Sequence, residues 1–190
     1  GEGEGEGEGR AQEGLVRVAA FRPAVIGVVV QETLDARATA RFGAALREKV
    51  AWFGSRLLEP RVVAPTAESI AAAFEEAGAA GAEIILIGGT KSLDPLDPAF
   101  VALTQLGVSL ERFGVPAHPG SLLWLARWGA RTVVGLPTCG LFAQLTSFDR
   151  VFPQLLAREA VDAHALATLA HGGLLARDVS FFPPYERTAV

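Results

Sequence analysis

The segment IILIGGTKSLDPLDP, residues 84–98, constrains the fold more than any other part of the chain. Four apolar residues, Ile84 to Ile87, stop at Gly88-Gly89. A run this short, mostly β-branched and free of charge, suits a strand buried on both faces of a parallel sheet. Two adjacent glycines permit backbone angles and close approaches that a Cβ would block. A polar loop follows. Asp97-Pro98 then has the signature of a helix start, with Asp at the N-cap and Pro at the first helical position. Strand, glycine turn, polar loop and helix N-terminus in that order describe the edge of an open α/β sheet where ligands bind.

The rest of the chain reads as a frame for that edge. Residues 24–30, AVIGVVV, are a second unbroken apolar run, ending in the polar tip Gln31-Glu32-Thr33. A helix is predicted from Asp35 to Phe53, with Phe42, Ala45, Leu46, Val50 and Phe53 at helical spacing and Gly54 behind it. A strand at 61–64 and a helix from Thr66 to Ala80, with Ile70, Ala73, Phe74 and Ala77 on one face, complete a β-α-β-α-β alternation. That alternation implies parallel strands and right-handed crossovers. Beyond it come a short helix at 99–106, a strand-like segment at 108–113 and a Pro/Gly-punctuated loop at 114–120. An apolar stretch at 122–125, a strand at 132–136 and helices at 148–158 (despite Pro153) and 161–169 follow. The expected fold class is α/β, a three-layer α/β/α arrangement on a mainly parallel sheet. The strands at 24–30, 82–87 and 132–136 should be adjacent or nearly so, with Glu32, Gly88 and Pro137 at one edge.

Residues 1–14, which open GEGEGEGEG, can bury nothing and read as a disordered acidic tail or an added tag. Residues 15–175 form the α/β domain, with Leu15, Val16 and Val18 as an edge strand or packed on the body. Residues 176–190, with Phe181, Phe182 and Tyr185 around two prolines, read as an extended tail. Of 190 residues, 50% are hydrophobic and 20% charged, which suits one globular domain. A net charge of -4 weighs against nucleic acid and anionic membranes as partners, while a local basic patch could still hold one small anion. No apolar run approaches the ~20 residues of a membrane span, and no signal peptide is visible. A lone cysteine allows no internal disulfide and suits a reducing, cytoplasmic setting. The lack of Met reads as a removed initiator or a fragment.

Three motif groups stand in order: Gly88-Gly89-Thr90 with Asp94 and Asp97; Gly114-Val115-Pro116-Ala117-His118-Pro119-Gly120; and Val133-Val134-Gly135-Leu136-Pro137. The last runs on through Thr138-Cys139 to Phe148-Asp149. Together, over roughly residues 22 to 160, they resemble the molybdopterin-binding domain family, nearest to its molybdotransferase-like branch with the pattern GLPxC…FD. Each motif alone is common; their order on these elements carries the resemblance. It implies binding of molybdopterin or a molybdenum cofactor precursor, in the cofactor's biosynthesis, insertion or delivery. It also implies a pterin-phosphate ligand, a molybdoenzyme or its chaperone as partner, and a homo-oligomer, for which Trp124, Trp128 and the aromatic tail offer apolar surface. Lys91-Ser92-Leu93, standing where the related adenylyltransferases have a small glycine-containing run, argues against intact adenylyl transfer. His118 stands where molybdotransferases usually carry Lys, and Thr138 where glycine is common.

Phosphate is held by backbone N–H groups, helix N-termini and an absence of bulk. By that chemistry and the resemblance, the candidate ligand-binding residues are Glu32, Thr33, Gly88, Gly89, Thr90, Ser92, Pro119, Gly120, Pro137, Thr138 and Cys139. The resemblance casts Asp94 and Asp97 as catalytic acids. Asp94 and Glu32 are also candidate ligands for Mg²⁺, which prefers oxygen donors and bridges phosphates. Each has a plain structural reading beside the functional one. Asp97 is explained as an N-cap, Asp94 as a turn residue, Glu32 as a solvated strand end and Cys139 as a small core residue. Three readings of the whole remain: a pterin-phosphate binder, with or without molybdotransferase-like catalysis, a non-catalytic interaction module that keeps the fold without the ligand, and another nucleotide-phosphate enzyme on the same fold. An open pocket at the glycine loop favours the first; one plugged by Leu93 or Phe142 favours the second.

Overall fold

The computed structural model describes residues 18–31, 35–137, 145–157 and 161–175. The apolar run before the glycines is strand β4, Ile84–Gly88, every residue of it buried. It lies between two parallel neighbours, β1 (Val25–Gln31) and β7 (Arg131–Gly135). Val28 pairs with Leu86, and Leu86 with Val134. The lack of polar residues in these runs follows from what covers them. On one face Ile26, Val28, Val30, Leu86 and Val134 meet Phe42, Leu46 and Val50 of helix α1 (Ala36–Trp52). The opposite face sets Val29, Ile85, Ile87 and Val133 against Ile70 and Phe74 of helix α2 (Ala67–Ala79) and Leu103 of helix α3 (Pro98–Gln105). Three layers result, and each fully buried Ile, Leu or Phe contributes about 1.5–3 kcal/mol.

Local signals fix the helix starts. Asp35 Oδ1 accepts from Ala38 N at 2.7 Å, and Thr66 Oγ1 from Ser69 N at 3.2 Å. Helix α4, Ser147–Leu156, begins with a capping box between Thr146 and Asp149 and carries Pro153 within it. Helix α5, Ala163–Ala167, is shorter than the sequence suggests and continues as a 3₁₀ turn, Thr168–Ala170. Its start is set by Asp162, whose carboxylate accepts from Ala165 N at 2.8 Å, so Val161 is buried ahead of the helix.

Two short strands, β2 (Arg56–Leu57) and β3 (Arg61–Val63), share one side of β1: Val25 pairs with Arg56 and Val29 with Arg61. On the other side of the sheet, β5 (Ser109–Phe113) and β6 (Trp124–Trp128) are antiparallel additions, giving the order β2-β1-β4-β7-β6-β5. β6 and β7 form a hairpin that turns at Gly129, φ +57°. The sheet is therefore mixed, with its parallel strands at the centre.

Two expectations need correcting. Val18 is 91% exposed and belongs to no strand; among the described residues the sheet's edge at that side is β2 and β3. Trp124 offers no interface, because its side chain is wholly buried against Phe100 and over Gly135. Trp128 is half-buried, with the Arg131 guanidinium 5.2 Å from its ring. Leu15, Val16 and the aromatic tail lie outside the described residues. Among the described residues no helix is long and apolar enough to cross a membrane.

Candidate functional site

β4 and β7 end side by side. Ile87 pairs with Gly135, and Leu136 N donates to Ile87 O at 2.8 Å, which brings Gly88 and Pro137 to one edge of the sheet. The chain leaves β4 through Gly89 at φ +84°, a conformation that a Cβ disfavours. Two successive turns follow. Asp94 N donates to Lys91 O at 2.8 Å and Asp97 N to Asp94 O at 3.0 Å, delivering the chain to the start of α3.

Asp97 is the knot of this loop. Its buried carboxylate caps α3 by accepting from Ala99 N at 2.9 Å through Oδ1. The same oxygen accepts from Gln31 Nε2 at 3.1 Å, and Oδ2 accepts from Lys91 N at 2.7 Å. A buried carboxylate needs such donors, and here they come from the tip of β1, the glycine loop and the helix. Asp94 is exposed, and its Oδ1 accepts from Leu96 N at 2.9 Å, closing an Asx turn.

Beside the loop opens a cleft of about 580 Å³. Thr90, Lys91, Ser92, Leu93, Asp94 and Pro95 line it, joined by Leu122 and Pro137 from two other segments. Thr90 and Ser92 are buried, and their hydroxyls share a hydrogen bond of 3.1 Å. Lys91 is exposed. Leu93, 76% exposed, lines the cleft without filling it, while Phe142 lies outside the described residues.

Of the residues singled out from the sequence, the cleft gathers Thr90, Ser92, Asp94 and Pro137. Gly88, Gly89 and Asp97 are buried in the loop's framework and do not line it. Pro119 and Gly120 occupy a neighbouring position, where Pro119 O accepts from Ser147 N at 2.8 Å and Gly120 O from Ser147 Oγ at 2.7 Å. They seat the N-terminus of α4; Leu122, two residues on, reaches the cleft. Glu32, Thr33, Thr138 and Cys139 lie outside the described residues.

The structure adds Gln31, Lys91 and Leu122. Gln31 had a signal, since a polar residue closing an apolar strand needs a partner if it is buried. Among the described residues no group of three or more His, Cys, Asp or Glu could hold a metal ion. Both Asp97 oxygens face N–H donors and one Asp94 oxygen does, so the Mg²⁺ site expected from Asp94 and Glu32 gains no support from the described donors. Among the described residues the cleft offers two hydroxyls, one cation and the Asp94 carboxylate beside apolar surface; the hydroxyls and the cation can hold clustered anionic oxygens, and the apolar surface a flat body.

No protein-family model matches the chain, and no curated protein matches it in sequence. Its fold has counterparts among solved structures. The molybdopterin biosynthesis moea protein from Pyrococcus horikosii matches with a TM-score of 0.53 and 20% identity, over 72% of this chain and 35% of that one. The chain thus spans about a third of that protein's length. Molybdenum cofactor biosynthesis protein B matches with a TM-score of 0.53 and 14% identity, over 72% of this chain and 93% of that one. The chain has the fold of these molybdenum cofactor biosynthesis proteins, the architecture that the order of its motifs resembles.

Proposed function

We propose that the chain binds molybdopterin, or a precursor of the molybdenum cofactor, in the cleft beside its glycine loop, and that it serves in the cofactor's biosynthesis, insertion or delivery. The observation that carries this reading is the composition of the cleft. Thr90, Ser92 and Lys91 stand beside Leu93, Pro95, Leu122 and Pro137 at the carboxyl ends of β4 and β7. A terminal phosphate would take the hydroxyls and the ammonium, and a pterin ring would lie on the apolar residues. The location supports this too, because open α/β sheets bind ligands beyond the carboxyl ends of their strands. So does the fold shared with proteins named for molybdopterin biosynthesis.

Within this proposal Asp97 holds the loop, and Asp94 is the described acid with an exposed side chain at the cleft. Glu32, Thr33, Thr138 and Cys139 stay candidates for contacts at the same edge. A molybdoenzyme or its chaperone would meet Leu93 and Leu96, 76% and 79% exposed, on the glycine loop. Leu93 leaves the cleft open, which favours a ligand over the empty interaction module.

The test is to purify the protein from a host that makes the cofactor and to examine it by native mass spectrometry and fluorescence. A co-purifying pterin phosphate at one per chain is expected. Protein free of pterin that also fails to bind pterin monophosphate when titrated would favour the interaction module.

A further inference from the structure

We infer that Lys91 is the cation that reads the anionic end of the cleft's ligand, so that the site takes a phosphate monoester without needing a divalent metal ion. This deepens the reading above and rests on the cleft being a binding site. Lys91 lines the cleft between Thr90 and Ser92, whose buried hydroxyls lie 3.1 Å apart. Its main chain is fixed, because Lys91 N donates to Asp97 Oδ2 at 2.7 Å and Asp97 is itself held by Gln31 and Ala99. The side chain, by contrast, is exposed, and its ammonium has no hydrogen bond or ion pair among the described residues. An anchored residue with an uncommitted charge, flanked in sequence by two hydroxyl residues that line the same cleft, completes a donor set for phosphoryl oxygens. The opposing charge at the cleft is Asp94, which forms no ion pair with Lys91 and has one oxygen engaged by Leu96 N. In a chain of net charge -4, a cation at this edge runs against the overall balance and selects for an anionic ligand.

The full-length protein is titrated with a pterin monophosphate and with the unphosphorylated pterin, each in EDTA and in Mg²⁺, alongside Lys91→Gln, Lys91→Arg and Asp94→Asn. In EDTA the wild type should prefer the phosphate ester. Lys91→Gln should lose about 10- to 100-fold in affinity for the ester and nothing for the unphosphorylated pterin, the range for one hydrogen bond to a charged group. Lys91→Arg should keep most of the preference, and Asp94→Asn should strengthen it. Melting temperatures should stay level across the set, since the anchor uses the main chain of residue 91. A preference that needs Mg²⁺, or that survives Lys91→Gln, overturns the inference. If neither pterin binds the wild type, inorganic pyrophosphate separates the two claims. Pyrophosphate binding that Lys91→Gln abolishes keeps Lys91 as the anion reader while the pterin reading falls. Pyrophosphate binding that ignores the substitution, or none at all, removes the Lys91 assignment as well.

Discussion

Gln31 Nε2 donates to Asp97 Oδ1 across 3.1 Å, with both groups buried, and so fastens the end of β1 to the first turn of α3. The two residues are far apart in sequence, and Lys91 N on Oδ2 brings the glycine loop into the same knot. Asp97→Ala is expected to cost about 2–4 kcal/mol, because it leaves buried donors without an acceptor. Asp97→Asn, which keeps one acceptor, should lose less. Urea unfolding measures both, and a midpoint unchanged in Asp97→Ala would show that the loop is held by other means.

A second buried carboxylate leads to a sharper loss. Lys49 Nζ lies 2.7 Å from both oxygens of Asp149, and Asp149 also accepts from Thr146 N at 2.7 Å. Lys49→Met should destabilise the protein by about 3–5 kcal/mol, since it strands a charge in the core between α1 and α4. Adding Asp149→Asn should recover part of that loss, as a double-mutant cycle in denaturant would show.

Two glycines should respond to alanine for different reasons. A Cβ on Gly135 would overlap the Trp124 indole, so Gly135→Ala is expected to cost about 3 kcal/mol or more, the upper range for overpacking. At Gly129 a Cβ meets nothing within 4 Å, and only the φ of +57° is unfavourable, so Gly129→Ala should cost about 1–2 kcal/mol. Thermal unfolding should rank them in that order; equal losses would mean the strand pair yields easily around Trp124.

Acid should loosen α5 by a defined route. The Ala165 N–H on the Asp162 carboxylate holds its pKa below the ordinary 3.8. A lowered native pKa means that the cap stabilises above the unfolded value and that this contribution is lost as pH falls from 3.8 through the native value. Amide exchange at Ala165 should accelerate in that window, and Asp162→Asn should remove the pH step. Exchange that does not respond to pH there, beyond its intrinsic chemistry, would count against the cap.

The central strands were legible because burial on both faces imposes an unbroken apolar run, as in Ile84 to Ile87 and Val28 to Val30. β2 was not, since Arg56 and Leu57 are too few to show any period. β6 appeared only as an apolar stretch: Trp124 and Leu125 are buried, but Arg127 turns to Glu111 and Thr132 near the hairpin, which breaks the pattern. At the cleft, the edge formed by Gly88 and Pro137 followed from parallel strand order. Leu122 did not, because its place there depends on how the segment between β5 and β6 folds back. For Asp97 the capping signal was legible from the following proline, whereas its bonds to Gln31 and Lys91 are set by tertiary packing.

The split margin of the sheet has a consequence for copies of this chain in a crowded solution. β2 and β3 are two and three residues long, and Glu59-Pro60 falls between them. At the opposite margin the pairing of β5 with β6 slips between Leu110 and Arg112. A foreign strand seeking to add itself needs an unbroken row of backbone donors and acceptors, and among the described residues neither side supplies one. These described strands thus flank a hydrophobic parallel sheet without themselves offering a template for cross-β growth.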